Sequence, residues 1–203
     1  MNILFTNYKG GTGKSSLSFN MSAFLDYRYI TNDTTVPNDP DIIQIAPRLK
    51  RIPKELQFPD CTIYDFGAMS TQLDPKVSHA LKLCDLVVIP TLTDQRSLQA
   101  TIEAVRLILP SGKPFVVIIN NFTQKKKYER AQMRLREVLG EIPIYGIRHT
   151  TLFEWVAEYG REWMITVNHQ KGVARLLKTK EQHEKIYRSI LQHGAKHAAA
   201  NTG

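Results

Sequence analysis

The sequence predicts an α/β fold in which a mostly parallel sheet carries helices on both faces. Three observations predict it. Runs such as Leu86-Val87-Val88-Ile89 and Phe115 to Ile119 are apolar throughout, the pattern of strands buried on both faces. Segments of helical period lie between these runs, so strands and helices alternate as parallel crossovers require. The chain of 203 residues is long enough for one such domain with a substantial core, and it shows no internal repeat and no dividing linker. We therefore expect one domain over residues 1–194 and a small, polar, flexible tail over 195–203.

Each element follows from its local pattern. Asn2 to Thr6 reads as the first strand, and Leu17, Met21, Phe24 and Leu25 recur at helical spacing between Lys14 and Tyr27. Tyr29 to Thr31 is a short second strand. Residues 32–59 are rich in Pro, Asp, Asn and Thr, with room for one short helix near Ile42 to Leu49. Thr62 to Tyr64 is a strand leading into Asp65 and Phe66-Gly67. Pro75 to Leu83 is helical, Leu86 to Pro90 a buried strand, and Ser97 is expected to cap a helix ending near Leu109. Phe115 to Ile119 is a strand that ends at Asn120-Asn121. Helices follow over Arg130 to Leu139, Thr151 to Tyr159 and Lys180 to Leu191, with a short strand at Ile144 to Ile147. Phe153, Val156 and Tyr159 share one helical face, expected in the core or at a dimer face.

Composition narrows the function. Lys and Arg outnumber Asp and Glu by 27 to 19, a net charge of +8 that suits a polyanionic partner. Apolar runs stay well short of a membrane span and there is no leader pattern, so the chain is expected to be soluble and intracellular. Cys61 and Cys84, far apart and beside apolar residues, read as buried, inert thiols. The histidines are scattered without ligand spacing, so none is assigned to a metal.

Residues 9–15 carry the most specific chemistry. Lys9-Gly10-Gly11-Thr12-Gly13-Lys14-Ser15 follows the first strand and opens the first helix. A strand that turns through glycines into a helix presents backbone N–H groups to a phosphate. A lysine at position 14 can reach the outer phosphates, and the Ser15 hydroxyl can hold Mg²⁺. The order of strand, loop and helix thus indicates a nucleoside triphosphate. The strict motif would place glycine at position 8, where this chain has Tyr8. Asp65, at the end of an apolar strand, could hold a magnesium-bound water or simply cap a turn. Asn120 offers an amide suited to an adenine edge, with Asn121 competing for the role.

The stretch Asn7 to Ser16 resembles the deviant Walker A loop of the ParA/MinD family of P-loop ATPases. Ile63-Tyr64-Asp65-Phe66-Gly67-Ala68 resembles that family's Walker B strand and switch. Cys84 to Pro90 and Val116 to Asn120 resemble its next core strands, and the likeness covers roughly residues 1–190. The short length resembles the small plasmid-partition branch. The resemblance implies an Mg²⁺-dependent ATPase, a hydrolase that is slow and partner-stimulated. It implies that Gly10, Gly11, Thr12, Gly13 and Lys14 cradle the phosphates, that Ser16 sits near the α-phosphate, and that Ser15 and Asp65 hold Mg²⁺. Lys9 becomes the signature lysine, reaching the partner's nucleotide across a homodimer with ATP at the interface. The implied function is DNA segregation: the dimer holds nonspecific DNA, and a centromere-binding adaptor protein resets it by stimulating hydrolysis. The implied setting is a prokaryotic, nucleoid-associated cytoplasmic protein.

One departure is clear. The family's Asp-x-Asp-Pro-Gln pattern after the second strand is replaced by Thr31-Asn32-Asp33-Thr34-Thr35. Asp33 is the best candidate to orient an attacking water, with Asp39 and Asp41 as distant alternatives. DNA contact falls to two basic groups. Lys125, Lys126, Lys127, Arg130, Arg134 and Arg136 form the first; Lys171, Arg175, Lys178, Lys180, Lys185 and Arg188 form the second. No base-reading motif is present, and the small tail after the last helix has no bulky apolar face for a membrane. An ATP-switched protein that positions a protein assembly, such as conjugation machinery, is the alternative. A small-molecule enzyme of the dethiobiotin synthetase kind is a third reading, which Lys9 and the basic surface disfavour.

Overall fold

The computed structural model describes residues 1–34, 42–67, 74–166 and 174–200; side chains at 161–166, 174, 175, 198 and 200 lie outside that description. Seven strands form one all-parallel sheet in the order β3-β2-β4-β1-β5-β6-β7. They are β1 (Asn2–Phe5), β2 (Arg28–Thr31), β3 (Ile42–Gln44), β4 (Thr62–Asp65), β5 (Leu86–Thr91), β6 (Phe115–Phe122) and β7 (Ile144–Arg148). Six α-helices accompany them among the described residues: α1 (Lys14–Leu25), α2 (Pro75–Leu83), α3 (Gln95–Ile108), α4 (Lys125–Leu139) and, after the last strand, α5 (Leu152–Thr166) and α6 (Ala174–Ala200).

The pleat sends alternate side chains to opposite faces, and so the central strands build two cores. Leu4, Tyr64, Val87, Ile89 and Val117 pack with Val77, Leu98, Ile102 and Leu135 under α2, α3 and α4. Ile3, Phe5, Ile63, Val88 and Val116 pack with Leu17, Met21, Val156 and Tyr187 under α1, α5 and α6. This is the predicted architecture.

Proline in the central strand β5 has a specific explanation. Pro90 pairs with Ile118 of β6, while the register with β1 stops at Val88. The donor that proline lacks therefore faces a point where β1 has already left the sheet.

Several boundaries differ from the sequence reading. Ile42–Gln44 is an edge strand beside β2, not part of a helix, because Ile42 and Ile43 pair with Tyr29 and Ile30. Helix α3 is capped by Asp94, whose carboxylate accepts from the backbone N–H of Ser97 at 3.0 Å; Ser97 lies inside the first turn. Helix α4 begins at Lys125, so the lysine triplet is helical rather than a loop. Helix α5 continues past Tyr159 across a kink at Gly160, where φ is 75°. Helix α6 runs from Ala174 to Ala200, longer than its apolar period at both ends. On α5, Val156 is buried, whereas Tyr159 is 51% exposed and stacks on Trp155. Cys84 is buried, but Cys61 is only half-buried and has a positive φ of 54°.

Candidate nucleotide-binding site

The loop after β1 opens at the C-terminal edge of the sheet, between β4 and β5, where open parallel sheets place their ligands. Asn7 organises its entry. Fully buried, it donates to the Pro90 carbonyl and to Thr101 Oγ1 at 3.2 Å, while its own Oδ1 accepts from the backbone N–H groups of Tyr8 and Lys9. Gly11 and Gly13 adopt left-handed φ values of 73° and 82°, and α1 starts at Lys14. At Gly13 space is also decisive, since a Cβ there would lie 2.2 Å from Asn120 Nδ2.

Four of the predicted site residues converge beside this loop. Lys14, Ser15, Asp33 and Asp65 line one cavity of about 280 Å³ that also reaches Gly67. Ser15 Oγ donates to Asp33 Oδ2 at 3.0 Å. Asp65 ends β4 beside β1 and accepts from the buried Tyr29 hydroxyl at 2.7 Å. Asp33 is held by its own backbone: its N–H donates to Thr31 Oγ1 at 3.0 Å, and its carbonyl accepts from Gln44 Nε2 at 2.8 Å. Asn32 Oδ1 accepts from the N–H of Gly67 at 3.1 Å, which ties the strand-end segment after β2 to the turn after β4.

Burial sets the electrostatics. It pulls the Lys14 amine below the usual lysine range, against the opposing pull of Asp65 and Asp33. It pushes the Asp65 carboxyl up, against the hydrogen bond from Tyr29 and the charge of Lys14. Desolvated charges of both signs around one cavity suit a ligand that brings phosphate oxygens to Lys14 and a divalent cation to the acidic side. Among the described residues no group of three or more His, Cys, Asp or Glu could hold a metal alone. The Asp65 carboxylate and the Ser15 hydroxyl instead fit Mg²⁺ shared with phosphates.

The other predicted residues divide in their placement. Asn120 is buried, donates to the Thr12 carbonyl at 3.2 Å, and leaves its Oδ1 buried without a hydrogen-bond partner. That orphan acceptor suits an exocyclic amine. Asn121 instead turns outward to His149 Nδ1 at 2.7 Å. Ser16 is exposed at the start of α1. Lys9 is half-buried and reaches the start of α3, with its Nζ 2.9 Å from Ser97 Oγ and 3.4 Å from Asp94 Oδ1. Asp39, Asp41, Ala68 and Lys171 fall outside the described residues, as does the side chain of Arg175.

Of the basic residues, Lys125, Lys126, Lys127, Arg130 and Arg134 are all exposed on α4. Arg130 and Arg134 line a groove of about 370 Å³ between α3 and α4. Lys125 pairs with Glu129 at 3.4 Å and Arg134 with Glu137 at 3.2 Å. Lys178 is exposed on α6, while Lys180 is half-buried and 3.9 Å from Glu184. Among the described residues no helix is long and apolar enough to cross a membrane.

Sequence reasoning placed Asn7 in the loop stretch without a role and Ser97 at a helix start remote from it, and it missed Tyr29 and Asp94 as parts of this region. Asp94 followed three residues later by Ser97 is a helix-start signal that could have been found. Asn7 and Tyr29 act through contacts remote in sequence, to residues 101 and 65, which no local pattern announces.

No protein-family model and no curated protein matches the sequence. Solved structures do match its fold. A Cyanothece McdA variant in complex with ATP aligns with a TM-score of 0.64 at 11% identity, over 95% of each chain. The ParA of pNOB8 gives a TM-score of 0.64 at 10% identity, over 98% of this chain and 99% of that one. The septum site-determining protein MinD of Pyrococcus horikoshii, complexed with Mg-ADP, gives 0.59 at 16% identity, over 91% and 96%. In fold the chain stands with the ParA and MinD ATPases, as its phosphate-loop sequence implies.

Proposed function

We propose that this chain is an Mg²⁺-dependent ATPase whose nucleotide state switches a homodimer on and off DNA, in the service of DNA segregation. The observation that carries the reading is the convergence of Lys14, Ser15, Asp33 and Asp65 on one cavity beside a loop shaped by Gly11 and Gly13. In this reading the loop amides and Lys14 bind the phosphates, and Ser15 and Asp65 hold Mg²⁺, which supplies charge neutralisation at the outer phosphate oxygens. Asn120 Oδ1 accepts from the adenine amine. Asp33 orients the attacking water. The stretch Thr31 to Thr35 carries one aspartate where the Asp-x-Asp pattern has two, so turnover is slow until an adaptor protein completes the site. Lys9 crosses to the partner's nucleotide, and its charge offsets the repulsion between phosphates brought face to face.

DNA contact is assigned to the exposed basic face of α4, with Lys178 and Lys180 as further candidates. Pairing two subunits doubles the number of phosphate contacts, which makes retention depend on ATP and fall with salt. The test is sizing and retention on nonspecific DNA in ATP, in ADP and without nucleotide, beside Lys9→Ala. We expect an ATP-only dimer that holds DNA, and loss of both properties in the variant. A dimer that ignores DNA would favour positioning of a protein assembly. A monomer in ATP would overturn the pairing switch.

A further inference from the structure

The geometry points to Asp94 and Ser97 as positioning residues that hold Lys9 within its own subunit, so that pairing on ATP requires Lys9 to leave them. This inference rests on the proposed role of Lys9 across the dimer. It starts from a shared carboxylate. Asp94 Oδ1 accepts from the backbone N–H of Ser97 at 3.0 Å and lies 3.4 Å from Lys9 Nζ, while Oδ2 accepts from Ser97 Oγ at 2.5 Å. Ser97 Oγ in turn accepts from Lys9 Nζ at 2.9 Å. One carboxylate therefore caps α3 and, with the serine hydroxyl, receives the lysine amine.

The base of this arrangement is rigid. Ser97 is fully buried, and its carbonyl accepts from Thr101 Oγ1, the same hydroxyl that receives Asn7 at 3.2 Å. Asn7 fixes the backbone N–H of Lys9 itself. Loop entry and helix cap are thus braced against each other, and Lys9 spans between them. The hydrogen bonds from Ser97, with Lys9 nearby, hold the Asp94 carboxyl below the usual carboxylate range. Asp94 is therefore charged throughout the neutral range.

The lysine and aspartate side chains are 36% and 48% exposed, so the contact is weak and exchangeable. That is what a device released by a second subunit needs. A tight buried pair would forbid pairing, and a free lysine would meet the partner's phosphates without any threshold. Holding Lys9 costs at most about fivefold per subunit at an exposed pair. Two subunits must let go, so the pairing constant is lowered by up to about 25-fold.

Asp94→Asn keeps a good helix cap while removing the charge, and Ser97→Ala removes the hydroxyl independently. The first arm measures acylation of Lys9 by an amine-reactive reagent without nucleotide, using the exposed Lys126 as internal reference. Both variants should raise Lys9 reactivity about threefold relative to the reference. The second arm measures the protein concentration that gives half-dimer in saturating ATP. Asp94→Asn should lower it several-fold with ATP affinity of the monomer unchanged. Unchanged Lys9 reactivity in both variants overturns the holding contact. Faster acylation with an unmoved half-dimer concentration overturns its opposition to pairing. If the wild-type chain does not pair in ATP, the crossing role of Lys9 fails, while the acylation arm still decides the contact.

Discussion

Asp65 shows how the candidate site is built at a cost to the fold. Its carboxylate is almost fully buried, and the hydroxyl of Tyr29 beneath it does not offset the lost solvation. The folded-state acidity is weakened. Its cost to stability is therefore absent well below the ordinary carboxylate pKa and grows as pH rises through the raised value. Asp65→Asn keeps the shape and an acceptor for Tyr29 but removes the charge. The apo protein should gain about 1 kcal/mol or more in urea unfolding at pH 7, while Mg²⁺ loses most of its effect on ATP binding. A variant less stable than the wild type would show that the carboxylate is already well compensated. Gly13 is constrained differently, by its φ of 82° and by Asn120 beside it, so the glycine there follows from backbone and packing together.

Helix α4 is where element-scale reasoning had most to correct. Its sequence is so polar that only Ala131 and Leu135 are buried, leaving little apolar period to mark its first turns. The lysine triplet is therefore presented on a helix, which fixes the spacing of its charges. The strands were easier to read, because runs apolar on both faces leave few alternatives. Ile42–Gln44 was not legible: an edge strand of three residues is defined by pairing with β2, not by its own pattern. The loop between β1 and α1 could be read from its glycines and the start of α3 from Asp94, but the contacts that Asn7, Tyr29 and the Asp94–Ser97 pair make around the site required the tertiary fold. For α4 the double variant Lys126→Glu/Lys127→Glu should leave ATP binding intact and weaken DNA retention. The slope of log affinity against log salt should fall by about 4, one for each of the two phosphate contacts removed from each subunit of the dimer. Anisotropy of a labelled duplex in ATP would measure it, and an unchanged slope would move the DNA face elsewhere.

At the scale of the whole molecule, the layer of α1, α5 and α6 depends on a histidine that must stay neutral. His183 is 4% exposed, lies against Phe153 with ring centroids 5.3 Å apart, and its buried Nδ1 has no hydrogen-bond partner. Burial lowers its pKa from 6.5 to about 4. The folded state therefore binds this proton less well than the unfolded chain, and stability is lost as pH falls from about 6.5 towards 4. At pH 5 the loss should be about 2 kcal/mol relative to pH 7 in urea unfolding, and His183→Leu should remove most of that difference. Equal pH dependence in the variant would place the acid sensitivity elsewhere. That layer also backs α1, whose first residues, Lys14 and Ser15, face the candidate phosphate site, so its integrity bears on nucleotide binding. The most direct test of the central claim is a titration of ATP into the wild-type chain and Lys14→Ala, each with and without Mg²⁺. We predict that Mg²⁺ tightens wild-type binding about tenfold or more, and that Lys14→Ala weakens it about 100-fold without unfolding the protein. Binding indifferent to both Mg²⁺ and Lys14, or no binding at all, would contradict the assignment of this cavity to a nucleoside triphosphate.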